Sequence, residues 1–202
     1  MTTPSASPAR DPHDLPDVRA VTVGVLGGTG EQGRGLARRF ALAGCDVVLG
    51  SRDAHRAAQV AADMPGRVRG MSNHDCAAAA EIVIVAVPWD GHADLLRSLQ
   101  SSLAERIVVD CVNPLGFDKQ GAFALAVSEG SAAEQAAALL PDSRVVAAFH
   151  HISAVLLLDE SVDRIDTDVL VLGDDREATD AVQALTGLIP GLRGVYGGRL
   201  RN

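Results

Sequence analysis

The chain has 202 residues, of which 47% are hydrophobic and 22% are charged, and its formal net charge is −8. This balance is typical of a soluble globular protein with one ordinary domain. The negative charge argues against a nucleic-acid-binding groove and against a polybasic membrane patch. The apolar runs are too short for a membrane span, and the N-terminus lacks the pattern of a secretory signal.

The cysteines are few and widely spaced, at Cys45, Cys76 and Cys111. They form no pair at zinc-ligand spacing, so we expect no metal site. An odd, sparse set of thiols favours a reducing compartment, and we therefore expect a cytoplasmic protein.

Residues 1–19 are rich in proline, serine and aspartate and predict a disordered N-terminal tail. From residue 20 to 202, short apolar runs alternate with alanine-rich stretches of helical pattern. Strands are predicted at 21–27, 46–50, 82–87, 107–112, 145–149 and 169–172, with weaker candidates at 67–71 and 194–196. Helices are predicted near 31–44, 53–63, 73–80, 89–104, 131–140 and 175–188. The alternation predicts an α/β fold, Rossmann-like and doubly wound, with a mostly parallel sheet and a small C-terminal extension.

The first predicted strand runs directly into a glycine-rich turn that opens a helix. The turn comprises, in order, Gly28, Thr29, Gly30, Glu31, Gln32 and Gly33. Glycines at these spacings allow a tight turn, a close approach of the backbone to a pyrophosphate, and close packing of helix and strand. The helix N-terminus then offers free N–H groups to the phosphates, and Thr29 can add its hydroxyl. The alternative is a plain tight turn, but the strand and helix around it favour a dinucleotide site.

The end of the second predicted strand indicates which dinucleotide binds. An NAD site usually carries a carboxylate there to hold the ribose hydroxyls. This chain instead has Ser51 and Arg52, with Arg56 one helical turn later. Guanidinium groups match phosphate oxygens in pairs, so the pattern favours the 2′-phosphate of NADP. A solvated helix face is the alternative for the two arginines, and Asp53 is expected to cap the next helix.

Three further positions lie where predicted strands end, which is where ligands bind in open α/β sheets. Val87, Pro88 and Trp89 follow the fourth apolar run, and Trp89 is either a wall for a cofactor ring or a hydrophobic anchor. Asn113 either contacts a carboxamide or shapes a turn. His150 and His151 are adjacent, so in a strand only one of them faces the pocket. We interpret His150 as a positioning residue, with general acid as a second role that stays open. The stretch 113–130 is predicted to be a long, irregular, functional loop.

At 27–30, 50–52, 87–89 and 149–150 the sequence resembles the F420-dependent NADP reductases, and the resemblance runs from about residue 21 to residue 199. It implies hydride transfer between NADP(H) and the 8-hydroxy-5-deazaflavin coenzyme F420. By this resemblance Thr29 holds the pyrophosphate, and the positions of Ser51, Arg52 and Arg56 hold the 2′-phosphate. Pro88 and Trp89 border the nicotinamide pocket, and His150 lies on the deazaflavin side, in a C-terminal F420-binding extension. A homodimer is also implied.

The chain departs from the family pattern in two respects. Family members are expected to continue with a further C-terminal helix, where this sequence stops at Asn202. Residues 151 and 153 are His and Ser, where Thr and Pro are expected. Two other functions stay open at this stage. One is an NADP-dependent reductase of another small substrate, and the other is a non-catalytic dinucleotide-binding sensor.

Overall fold

The structure is a computed structural model that describes residues 14–202. Its strands are Thr22–Leu26 (β1), Asp46–Ser51 (β2), Arg67–Ser72 (β3), Ile82–Val85 (β4), Ile107–Asp110 (β5), Leu115–Asp118 (β6), Gly121–Ala124 (β7), Arg144–Ala147 (β8), Thr167–Gly173 (β9) and Leu192–Gly198 (β10). Its α-helices are Glu31–Leu42 (α1), Ala54–Ala62 (α2), Asn73–Ala79 (α3), His92–Leu103 (α4), Ala132–Leu139 (α5), Ala154–Leu158 (α6) and Arg176–Thr186 (α7). A 3₁₀ turn at Trp89–Gly91 precedes α4.

Eight strands form one sheet in the order β10-β9-β8-β5-β4-β1-β2-β3. Every neighbouring pair in it is parallel except β8 and β9, which are antiparallel. The predicted Rossmann-like, mostly parallel sheet is therefore confirmed. The chain winds from β1 outward to β3, then crosses back to β4 and winds the other way. Strand order thus reverses between β1 and β4, and this switch point opens a crevice at the carboxyl ends of the strands.

The central strands are apolar at consecutive positions because the sheet is covered on both faces. Successive residues of a strand point to opposite sides, so Val25 and Leu26 belong to separate core clusters. One cluster contains Leu36 and Phe40 of α1, and the other contains Leu96 of α4. Two packed layers of helix thereby fix the strand ends on which the site is built.

Ordered packing begins before residue 20, because Val18 is 5% exposed and belongs to the first core cluster. The rest of the predicted tail, residues 1–13, lies outside the described residues. At the other end, β9 and β10 continue the main sheet as its edge. The predicted C-terminal extension is therefore part of the same sheet.

The stretch 113–130 is not wholly irregular, because β6 and β7 pair within it as an antiparallel hairpin. Seven of its eight strand residues are exposed, and so the stretch has neither the buried run nor the alternation that predicts a strand. The prediction also missed α6, whose five residues are too few for a helical period to show. Within residues 14–202, no helix is long and apolar enough to cross a membrane, and no cluster of three potential metal ligands occurs.

Candidate functional site

A cavity of about 600 Å³ occupies the crevice at the switch point. Its walls come from the turn after β1, the end of β2, the start of α3 and the segment that joins β4 to α4. The residues that line it are Gly27, Thr29, Gly30, Ser51, Arg52, Asp53, Arg56, Asn73, Ala86, Val87, Pro88, Asp90, Gly91 and Leu95. The cavity therefore brings together the predicted phosphate turn, the predicted arginines and the predicted strand-end proline.

Glycine is needed at several positions of the phosphate turn, for a different physical reason at each. Gly27 has a φ of 72°, a backbone conformation that side chains rarely adopt. A Cβ on Gly33 would lie 2.7 Å from the carbonyl oxygen of Gly27, so this glycine lets α1 pack against the turn. A Cβ on Gly28 would meet the Leu49 side chain at 2.6 Å, so Gly28 lets the turn approach β2. The packing of the fold therefore requires glycine at Gly28 and at Gly33.

Gly30 is different, because a Cβ there would meet only the carbonyl oxygen of Gly27, at 3.4 Å. Its backbone is extended, with φ −80° and ψ 165°, so other residues can adopt it. Gly30 lines the cavity and caps the N-terminus of α1, where free N–H groups point outward. A side chain at this position would occupy the space that a pyrophosphate needs. Glu31 and Gln32 form the first turn of α1 and do not line the cavity.

The far side of the cavity carries two arginines next to a capped helix. The Asp53 carboxylate accepts hydrogen bonds from the N–H groups of His55 at 2.9 Å and Arg56 at 3.1 Å, which confirms the predicted cap. Ser51 is buried, and its Oγ accepts from the N–H of Asp53 at 3.2 Å. Arg52 and Arg56 are exposed and form no ion pair within residues 14–202.

The spacing of Arg52 and Arg56 predicts a shared helix face, but the structure does not show one. Arg52 precedes the capping residue Asp53 and lies outside α2, whereas Arg56 is in its first turn. They nevertheless line the same cavity. Two cations that find no carboxylate partner in the described part of the chain, beside a helix N-terminus, suit a phosphate group.

Trp89 is an anchor rather than a wall of the cavity. Its ring is partly buried against the second core cluster and stacks on the His92 ring, with centroids 5.5 Å apart and planes 24° apart. Val87 and Pro88, which precede it, do line the cavity. The strand exit was predicted correctly, but the direction of the indole could not be predicted from its position.

Asn113 and His150 meet at the ends of β5 and β8. The Asn113 side chain donates a hydrogen bond of 2.8 Å to the backbone carbonyl of His150. Neither residue lines the cavity beside the arginines. The neighbouring Phe149 is fully buried, has a φ of 66°, and packs edge-on against Phe40 with ring centroids 6.1 Å apart. Gln32 reaches across from α1 and donates to the Phe149 carbonyl at 3.5 Å.

The alternation expected for His150 and His151 does not apply. Strand β8 ends at Ala147, and the left-handed conformation of Phe149 turns the chain out of the sheet. His151 is exposed, and its Nε2 lies 2.9 Å from the carbonyl oxygen of Asp168. His150 is partly buried, and burial lowers its pKa against the opposing charge of Asp110.

The structure shows polar residues at this edge that the sequence pattern did not reveal. His92 and Asp110 are both fully buried, and His92 Nε2 lies 2.6 Å from Asp110 Oδ2. Asn73 lines the cavity, and its buried Oδ1 has no hydrogen-bond partner among the described residues. In the sequence, the signal for the His92–Asp110 pair was an aspartate, Asp110, that interrupts the apolar run 107–112.

Comparison with known proteins places the chain in a family. The family described as "NADP oxidoreductase coenzyme F420-dependent" matches residues 22–114. The F420-dependent NADP reductase of Methanothermobacter thermautotrophicus is 38% identical over 196 residues, which span 92% of this chain and 84% of that protein. The chain belongs to the F420-dependent NADP reductase family.

Two further relatives agree with this placement. The F420-dependent NADP reductase of Methanothermobacter marburgensis is 39% identical over 191 residues, covering 89% of this chain and 85% of that protein. A crystal structure from Arthrobacter sp. FB24, of a protein proposed to be an F420-dependent NADP reductase, is 28% identical with a TM-score of 0.74. The match covers 89% of this chain and 86% of that one. The family resemblance stated from the motifs is thereby confirmed.

Proposed function

We propose that this reductase transfers a hydride between NADP(H) and the deazaflavin coenzyme F420. The observation that carries the proposal is the cavity itself, where an open glycine turn faces two arginines that have no ion-pair partner among the described residues. A dinucleotide whose pyrophosphate lies at the N-terminus of α1 extends one half toward β2 and the other toward β4 and β5. Its adenosine half then reaches Arg52 and Arg56, and its nicotinamide half reaches the ends of β4 and β5.

Ser51, Arg52 and Arg56 bind the 2′-phosphate in this proposal. The last residue of β2 is Ser51, so this strand end carries no carboxylate that would repel the phosphate or hold a free ribose hydroxyl. Asp53 lines the cavity, but its carboxylate is engaged in capping α2. Selectivity for NADP over NAD follows from this charge arrangement.

The nicotinamide lies beside Val87 and Pro88, and the deazaflavin approaches from the side of Asn113 and His150. Hydride transfer between two rings requires stacking at near contact in a dry site, so few side chains need to react. A hydride leaves the dihydronicotinamide and enters the deazaflavin, which also takes up one proton from solvent. His150 positions the deazaflavin, and its lowered pKa disfavours the protonated form that would donate that proton.

A reductase of small imines or ketones needs a proton donor beside the nicotinamide. The lowered pKa of His150 makes this residue a poor proton donor, which argues against such a reductase. A dinucleotide sensor is distinguished from the enzyme by turnover alone. The test is to mix the protein with NADPH and oxidised F420 and follow the deazaflavin absorbance. Loss of absorbance with NADPH but not with NADH supports the proposal, whereas tight NADPH binding without any loss favours the sensor.

We also propose that the protein is a cytoplasmic homodimer that binds no nucleic acid. All three cysteines are free and buried, which suits a reducing compartment. The β6–β7 hairpin exposes Leu115, Phe117 and Phe123, with 77% of Phe117 accessible. Exposed aromatic side chains on a hairpin are typical of a subunit contact. Light scattering of the protein and of a Phe117→Ser variant tests the dimer, because the variant is expected to have half the mass.

A further inference from the structure

The buried pair His92–Asp110 belongs to a longer hydrogen-bonded chain. His92 Nδ1 lies 3.2 Å from Gln135 Oε1, and Gln135 Nε2 donates to Glu129 Oε2 at 3.3 Å. This series of hydrogen bonds therefore runs from Asp110, at the end of β5, to the segment in front of α5. His92, the first residue of α4, is its second member.

The donors and acceptors along this series of hydrogen bonds determine which ring nitrogens of His92 carry a proton. The Glu129 carboxylate only accepts, so the amide nitrogen of Gln135 must face it and the amide oxygen must face His92. Asp110 Oδ1 accepts from the N–H of Val112 at 3.0 Å, and Oδ2 of the same carboxylate faces the His92 ring. Both nitrogens of the His92 ring then face acceptors, and an imidazole that donates from both nitrogens is an imidazolium.

The surroundings of His92 agree with a cation. Burial disfavours the charged ring, but the hydrogen bond and the charge of Asp110 outweigh this penalty, and the net effect raises the pKa of His92. The indole of Trp89 covers one face of the ring at 5.5 Å, within the range of a cation–π contact. Asp110 faces His92 from β5, and Glu129 reaches it only through Gln135.

We propose that His92 is a positioning residue, protonated at neutral pH, that fixes Trp89 and, through it, the cavity wall between β4 and α4. Pro88, Asp90 and Gly91 of this wall flank Trp89 in the chain, and all three line the cavity. An imidazolium bound to β5 on one edge and stacked on Trp89 on its face holds the segment against the sheet. The effect on cofactor affinity rests on the proposed function, whereas the protonation of His92 does not.

The first test measures the protonation of His92 in the wild-type protein. In a long-range ¹⁵N NMR spectrum at about pH 8, above the ordinary pKa of histidine, both ring nitrogens of His92 are expected to be protonated. The His92 signals are assigned by their loss in His92→Gln. A neutral tautomer of His92 at this pH would overturn the proposal.

Trp89 supplies the second test, because it is the only tryptophan of the chain. A stacked imidazolium quenches indole fluorescence, so emission is expected to rise in His92→Gln and in Asp110→Asn. The matched control is His74→Gln, at an exposed histidine that lies 3.7 Å from the exposed Asp75 and outside the cavity. Unchanged emission in both variants at His92 and Asp110 would show that Trp89 is fixed by other contacts.

Calorimetry with NADPH separates positioning from simple loss of fold. If His92 positions the wall, His92→Gln raises the Kd for NADPH several-fold and leaves the number of sites per chain unchanged. If His92 only supports folding, the number of sites falls and the Kd stays the same, which contradicts the proposal. Failure of the wild-type protein to bind NADPH would count against the proposed function, and the NMR and fluorescence results would still decide the role of His92.

Discussion

The side chain of Asn113 donates a hydrogen bond of 2.8 Å to the backbone carbonyl of His150, and so joins the ends of β5 and β8. This bond spans the edge of the sheet where we place the deazaflavin. It also restrains the turn that starts at Phe149, whose φ of 66° is unfavourable for a bulky residue.

The substitution Asn113→Asp tests this link. A carboxylate has the same shape but cannot donate to the carbonyl, so the turn at His150 is expected to loosen. We expect kcat/KM for F420 to fall roughly fivefold. This corresponds to a loss of about 1 kcal/mol in transition-state stabilisation, which is the contribution of one hydrogen bond. The Kd for NADPH, measured by calorimetry, is expected to stay the same. Gln120→Ala, on the exposed turn between β6 and β7, is the control. Equal weakening of both ligands would place Asn113 in the NADP site instead.

The double substitution Arg52→Ala with Arg56→Ala tests the 2′-phosphate site. Each lost hydrogen bond to a charged group costs about 1.5–3 kcal/mol, so NADPH affinity is expected to fall at least about tenfold. NADH lacks the phosphate, and its affinity is expected to change little. Arg97→Ala, at an exposed ion pair of α4 outside the cavity, serves as the control. A similar loss for NADH would refute the assignment.

Gly30→Val tests the phosphate turn without disturbing the packing of the protein. The backbone of Gly30 suits valine, and only the Gly27 carbonyl lies near a Cβ at this position. We expect a normal melting temperature and loss of both NADPH and NADH binding, measured by calorimetry and circular dichroism. Gly187→Ala, at the end of α7, is the matched control because its nearest neighbours lie at 3.5 and 3.8 Å. Normal NADPH binding by the valine variant would exclude this turn as the pyrophosphate site.

Arg39 is predicted to hold the segment around α6 against α1. It is 5% exposed and donates to the carbonyls of Leu156 at 2.7 Å, Leu157 at 2.8 Å and Asp159 at 3.0 Å. Arg39→Met is expected to lower the free energy of unfolding by at least about 3 kcal/mol, because buried carbonyls lose charged donors. Hydrogen exchange should rise most in residues 154–163.

The neighbouring Arg38→Met is the control for that experiment. Arg38 pairs with Glu160, whose side chain is 84% exposed, and such a pair contributes less than about 1 kcal/mol. If the two variants were equally stable, the contacts of Arg39 would not hold the segment.

The pH dependence of stability follows from the raised pKa of His92. The stabilisation is fully present below the pKa of histidine in the unfolded chain, about 6.5, and is lost as pH rises through the higher pKa of the folded protein. The double variant His92→Gln with Asp110→Asn removes the buried ion pair without leaving either partner alone. Urea unfolding between about pH 6 and pH 9 should show the advantage of the wild-type protein shrinking toward high pH. An advantage that stays constant or grows would contradict a raised pKa.

The parts of the fold that could be predicted are those with strong local signals. Buried runs such as β4 and the glycine turn before α1 follow from side-chain pattern and backbone geometry, and so the phosphate and arginine sides of the cavity were expected. The β6–β7 hairpin carries no such pattern because both of its faces are exposed. Its two strands are joined by antiparallel backbone pairing, which no local pattern of side chains announces.

Other features depend on contacts between distant parts of the chain. The stacking of Trp89 on His92 and the burial of His92 against Asp110 follow from how α4 docks on β5, which no local period encodes. The turn at Phe149 is similar, because a left-handed phenylalanine is stable only when its ring is buried against Phe40. Sequence reasoning therefore located the site but not the groups that hold it in shape.

The most direct test of the central claim follows a labelled hydride. The protein is incubated with NADPH that carries deuterium at both C4 positions of the nicotinamide and with oxidised F420, and the reduced deazaflavin is analysed by mass spectrometry and NMR. The account predicts that one deuterium appears at C5 of the deazaflavin, and that labelled NADH transfers far less. Reduced deazaflavin without deuterium, or no reduction by a protein that binds NADPH tightly, would contradict direct hydride transfer between the two cofactors.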